Sequence, residues 1–163
     1  MYINLQKRKP NRLNDFDYSQ NGIYYITICT KDKKPLLSQI TVGACSASPN
    51  KIKLTENGII VENGIIGISE HYKNVFVDNY VIMPNHIHLI VRIDNSDGLA
   101  MQAPTISHII QHFKGYVTKQ IGKPIWQKNY YDHIIRDDYD YFTKMQYIDE
   151  NSLRWTADEL YQE

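Results

Sequence analysis

Three short stretches of the chain are largely apolar, and each is rich in β-branched and aromatic residues. IYYITICT (23–30), VFVDNYVIM (75–83) and HIHLIVRI (86–93) therefore predict strands, the last two joined through Pro84-Asn85, a tight-turn dipeptide. Between Leu36 and Leu54 a short apolar piece, the loop GACSASPN and KIKL predict a hairpin.

Helical spacing takes over from Thr55. A threonine cap, an acid after it and apolar Ile59, Ile60, Ile65, Ile66 and Ile68 predict a helix to about His71, although Gly58, Gly64 and Gly67 weaken it. ISHIIQHFKGYVTKQIG (106–122) predicts a second amphipathic helix ended by Gly122. KPIWQKNYYDHIIRDD reads as a mixed aromatic and basic connector, followed by a helix from near Asp137 to about Asn151 or beyond. Residues 1–21 lack periodicity and end in the turn signal SQNG, so they read as an arm leading into one domain that spans 1–163. The order of elements predicts an α+β fold of ferredoxin-like or RRM-like type, a mainly antiparallel sheet with helices packed on one face.

Composition narrows the class. The chain has 18 basic and 18 acidic residues, so its formal net charge of zero gives no general attraction to nucleic acid. The charges are unevenly placed: Lys7, Arg8, Lys9 and Arg12 make a basic arm that can contact phosphates, while the C-terminal TADELYQE is acidic. No apolar run approaches the roughly 20 residues needed to span a membrane, and the N-terminal stretch has no apolar signal core, so a soluble cytoplasmic protein with no membrane partner is expected. Cys29 and Cys45 form no CxxC pair and read as reduced thiols.

Two imidazoles stand where packing alone would accept valine. Strand alternation sends Ile87, Leu89 and Val91 to one face and His86, His88, Ile90 and Arg92 to the other. Side chains two residues apart on a strand are about 6.5–7 Å apart at the backbone, from which tilted rings can converge on one ion held at about 2–2.2 Å. A bare His-x-His is more often a polar strand face than a metal site. A second pair, His108 and His112, shares a helix face at i and i+4, but Ile109 stands where a metalloprotease needs its glutamate, and the pair reads as a partly exposed helix face.

The context of the first pair changes the odds. MPNHIHLIV, then IWQKNYYDHIIRD, then MQYIDENSLRW, with RKPNRLNDFDYSQNGIYYITICT at the start, resemble in one order the REP-associated tyrosine transposases, single-tyrosine members of the HUH endonucleases. The resemblance covers nearly the whole chain. It implies a His-hydrophobic-His pair on a sheet strand, matching His86-Ile87-His88, a nucleophilic tyrosine on a later helix, matching Tyr147, and a third polar metal ligand, matching Asn151. The family usually has Asn-Pro at that point, whereas Ser152 follows Asn151 here, which leaves the helix end less defined. At about 100° per residue, Tyr141, Phe142, Met145 and Ile148 form an apolar stripe, while Asp140, Lys144, Tyr147 and Asn151 share another face.

The function so implied is single-strand DNA nicking and joining on hairpin or REP-like DNA, through a 5′-phosphotyrosine and a divalent ion, Mg²⁺ or Mn²⁺. Lys114, Lys119, Lys128 and Arg136 are further candidates for phosphate contact. The family includes monomers and helix-exchanging dimers, so a homodimer stays open. The alternatives are a non-cleaving single-stranded nucleic-acid binding module with an RRM-like sheet, against which YVIMPNHIHLIV offers histidines where the stacking rings of RNP-type motifs are expected, and a small metalloprotein unrelated to DNA that uses His86 and His88.

Overall fold

The computed structural model describes residues 21–41, 51–95, 104–155 and Leu160. The arm residues Lys7, Arg8, Lys9 and Arg12 lie outside the described residues. Strands β1 (Gly22–Cys29), β4 (Val75–Ile82), β5 (His86–Ile93) and β6 (Tyr131–Ile135) form a sheet in the order β4-β5-β1-β6. Every neighbouring pair is antiparallel. Helices α1 (Glu56–His71) and α2 (Ile106–Ile121) complete a β-α-β-β-α-β unit of the expected ferredoxin-like kind. A short hairpin, β2 (Ser38–Thr41) and β3 (Lys51–Leu54), stands apart as its own two-stranded sheet, and α3 (Asp138–Glu150) closes the described chain.

Local chemistry sets the helix ends. The Thr55 hydroxyl accepts from the Gly58 backbone N–H at 3.1 Å and starts α1, Thr105 does the same for α2 through His108 N–H at 3.2 Å, and Asp137 caps α3 through Asp140 N–H at 2.8 Å. Gly122 ends α2 in the left-handed region, φ 78°. Gly58 also permits a close approach: a β-carbon there would lie 2.0 Å from the Leu37 carbonyl oxygen, so α1 can press against the start of the hairpin only with glycine at this position.

Alternation along β1 and β5 splits the core in two. Tyr24, Ile26, Ile28, Ile87, Leu89 and Val91 face α1 and α2, where they pack with residues such as Val61, Ile65, Ile109 and Phe113. Tyr25, Val81, Met83, Ile90 and Ile135 face the other way and pack with Ile148 of α3 and Trp155 beyond it. Thus α3 covers part of the second sheet face, over β4 and β5. The functional side chains lie in the layer beneath it.

Two details differ from the sequence pattern. The connector contains an edge strand, β6, whose register with β1 runs from Ile23↔Ile135 to Thr27↔Tyr131. Only Ile134 and Ile135 in it are buried, so its alternation is too short to register in the sequence. Phe142 is 67% exposed rather than part of the apolar stripe of α3. Tyr141, Met145 and Ile148, at i, i+4 and i+7, suffice to fill the narrow contact with the sheet, and Phe142 lies about 100° further round the helix.

Candidate active site

Both histidines face α3, on the side their alternation predicts. They are buried rather than half-exposed, at 0% and 3% for His86 and His88, because α3 and Trp155 roof that face. Their ring centroids are 4.6 Å apart and the rings are inclined at 68°. The Tyr147 ring stands edge-on to His88 at 5.4 Å and edge-on to Tyr25 at 6.3 Å. A pair of imidazoles and a phenol separated by some 60 positions in sequence therefore meet.

Each imidazole is held through its Nδ1. His86 Nδ1 lies 2.8 Å from Asn85 Oδ1, and Asn85 Nδ2 donates to the Leu160 carbonyl at 2.7 Å, which fixes the orientation of the amide. An amide oxygen can only accept, so His86 carries a proton on Nδ1, and in the neutral ring Nε2 is then the nitrogen with the lone pair. His88 Nδ1 lies 2.7 Å from the Tyr25 hydroxyl and 2.8 Å from the Thr27 hydroxyl. Tyr25 and Thr27 reach it because they alternate onto the same face of β1, with Thr27 directly across from His88.

The opposite nitrogen of His88, Nε2, is buried and makes no hydrogen bond. Taken as single atoms, His86 Nε2 and Asn151 Oδ1 are the same, although both residues are engaged elsewhere. Burial, and then the positive charges available to His86 and Lys144, push the His88 imidazole well below its usual range. It is neutral at physiological pH, the form that offers a lone pair. Among the described residues no group of three histidine, cysteine or acidic side chains is placed to hold a metal.

Asn151 is the C-terminal cap of α3 and is itself buried. With Ser152 rather than a proline after it, the chain continues in a turn, Leu153 N–H to Glu150 O at 2.9 Å and Arg154 N–H to Asn151 O at 3.2 Å. That turn returns Trp155 to the sheet face, 5.9 Å from the His86 ring. Tyr147, one turn before Asn151, is 39% exposed and lines a cavity of about 650 Å³ together with His88, Tyr25, Thr27, Tyr131 and Lys144.

The other predicted residues separate. Lys114, Lys119 and Lys128 line a second cavity of about 640 Å³, which shares Gln127 and Tyr130 with the first. Lys114 is partly consumed there, since its ammonium donates to the carbonyls of Gln127 at 2.6 Å and Lys128 at 3.1 Å. Arg136 is exposed and lines neither cavity. His108 and His112 are exposed on α2, on the far side of the sheet. Sequence reasoning missed Tyr25, Thr27, Asn85 and Lys144. Lys144 already lay on the polar stripe with Tyr147, and Asn85 stood inside the quoted motif but read only as a turn residue.

No protein-family model matches the chain. An uncharacterised Haemophilus influenzae protein is 32% identical over 177 residues, spanning 96% of this chain and 94% of its own. A second protein from that organism, described as a "Putative REP-associated tyrosine transposase", is 25% identical over 154 residues, 85% of this chain and 74% of its own. Among solved structures, a REP-associated tyrosine transposase bound to a REP hairpin superposes with a TM-score of 0.61 at 19% identity, covering 93% of this chain and 88% of that one. The chain is thus similar in sequence and in fold to proteins named REP-associated tyrosine transposases. In this chain the histidine strand is an inner one, β5 lying between β4 and β1.

Proposed function

We propose that the protein is a metal-dependent transposase that nicks and rejoins single-stranded DNA, with hairpin or REP-like DNA as substrate and Tyr147 as nucleophile. The observation that carries this reading is the meeting of Tyr147 with His88 at one cavity, with the His86 ring 4.6 Å behind that of His88. Relatives bearing the transposase name, one of them bound to a REP hairpin, support the substrate class.

The donors fit a divalent cation. Buried, neutral His88 presents Nε2 without a hydrogen bond, while hydroxyls hold the opposite nitrogen, an arrangement that fixes a ligating imidazole. His86, through Nε2, and Asn151, through its amide oxygen, supply the remaining protein donors. Mg²⁺ or Mn²⁺ held there would polarise the scissile phosphate and orient it for in-line attack.

The chain's own residues do the rest. The Tyr147 phenol, with an ordinary pKa near 10, attacks phosphorus from the edge of the cavity and releases its proton to solvent on its exposed side. A P–O bond forms to the tyrosine as the bond to the 3′ oxygen breaks, and that oxygen takes a proton from water. The 5′-phosphotyrosine preserves the ester for rejoining, which hydrolysis would discard. Tyr25 and Thr27 keep His88 aimed, and Asn85 keeps His86 aimed.

An end-labelled hairpin incubated with the protein and Mn²⁺ is expected to give an adduct that survives denaturing gel electrophoresis. Tyr147→Phe should abolish it while hairpin binding persists. Binding without an adduct in the wild type would favour the non-cleaving module instead. No binding even at low salt would refute both nucleic-acid readings.

A further inference from the structure

The polar stripe of α3 holds a cation as well as a phenol. Lys144 stands three residues before Tyr147, is half-buried, and lines the same cavity as Tyr147 and His88. Its Nζ sits 5.1 Å from the centroid of the Tyr25 ring, the ring that stacks on His88 at 5.2 Å. Among the described residues it makes no ion pair, and none of the residues lining the cavity is a carboxylate.

That placement asks for an explanation. A lysine on a helix surface usually extends into water, and folding one back toward two imidazoles costs side-chain freedom and brings like charges together. The contact with the Tyr25 ring offsets only part of this. The missing partner is an anion, and the cavity faces the phenol from which a phosphate would be attacked.

We infer that Lys144 is a further catalytic residue, whose ammonium contacts a non-bridging oxygen of the phosphate that Tyr147 attacks. The inference rests on the function proposed above. As phosphorus takes on its fifth oxygen, negative charge gathers on the non-bridging oxygens, and a cation already in place stabilises it without reorganising. Lys144 keeps its proton throughout, so no bond to it forms or breaks.

The test compares Lys144→Met and Lys144→Arg with the wild type in single-turnover adduct formation on a labelled hairpin with saturating Mn²⁺. Lys144→Met should slow adduct formation about 10- to 100-fold, and Lys144→Arg should recover most of the loss. A substrate with a methylphosphonate at the scissile position removes the charge that Lys144 is to meet, so there the Lys144→Met effect should shrink to within about threefold. In the non-cleaving Tyr147→Phe background, Lys144→Met should flatten the log-log salt dependence of hairpin affinity by about 0.7, the value of one single-strand phosphate contact. Mn²⁺ affinity should be unchanged. Wild-type rate in Lys144→Met, equal slowing on both substrates, or lost Mn²⁺ affinity would each overturn the assignment, the last two by showing that Lys144 only supports the fold of the site. If the wild type itself forms no adduct, the parent reading fails first and is recognised as the cause.

Discussion

Removing Asn85 tests whether the histidines are aimed or merely buried. Asn85→Ala deletes the acceptor 2.8 Å from His86 Nδ1 and the donor 2.7 Å from the Leu160 carbonyl. His86 has no exposed surface, so the stranded N–H cannot turn to water, and an orphaned buried donor costs about 1–3 kcal/mol. Taking about 2 kcal/mol, a chain of this length should melt roughly 4–8 °C lower. The second effect is on the lone pair. Once no oxygen holds the proton on Nδ1, the neutral ring can move it to Nε2 and lose its donor, and loss of such a supporting bond typically weakens metal binding about 10- to 100-fold, or about 1.4–2.7 kcal/mol. Titration calorimetry with Mn²⁺ and a thermal melt measure the two effects separately. Asn85→Asp is the control, because it keeps the acceptor for His86 but gives up the N–H to Leu160, and should retain or raise Mn²⁺ affinity. If Asn85→Ala binds Mn²⁺ as tightly as the wild type and melts within about 1 °C of it, the tautomer reasoning is wrong.

His88 has two supports, so its variants should be non-additive. Thr27→Val and Tyr25→Phe each leave one hydroxyl on Nδ1 and should each weaken Mn²⁺ binding less than about fivefold, whereas the double variant should lose more than the product of the two, read as a coupling of about 1 kcal/mol in a double-mutant cycle. On α3, Ile148→Ala should cost about 2–5 kcal/mol in urea unfolding, since Ile148 is 2% exposed beneath the helix, while Phe142→Ser should stay within about 0.5 kcal/mol of the wild type.

The elements with strong local signals were readable from sequence. Thr55, Gly122 and Asp137 mark helix ends through their own side chains or backbone freedom, and the two faces of β5 follow from alternation alone. What sequence could not show depended on distant partners. β6 is five residues long and becomes a strand by pairing with β1, more than 100 positions earlier. The supports of His88 needed the register of β1 on β5, which places Thr27 across from it and Tyr25 two residues further along. The stripe on α3 was drawn one residue too wide because a helix lying over only two strands of a sheet needs few apolar residues. Tyr147 stood out among 13 tyrosines through the family resemblance, with its helix face as support.

On the proposed reading the protein donors to the metal are two imidazoles and an amide, with no carboxylate among them, and that lack of negative charge has a consequence for an anionic substrate. A carboxylate ligand would cancel part of a divalent charge before any phosphate arrived. Here burial holds His88 uncharged, no carboxylate among the described residues lines the cavity, and Lys144 adds a further positive charge at its wall. On the proposed reading, the protein leaves the cation's charge almost wholly for the phosphate to satisfy. Cation and phosphate then bind best together, and linkage requires each to strengthen the other by the same factor. A buried site without its own counter-charge holds a cation poorly alone, which suits an enzyme whose nucleophile must stay idle until a DNA strand is in place.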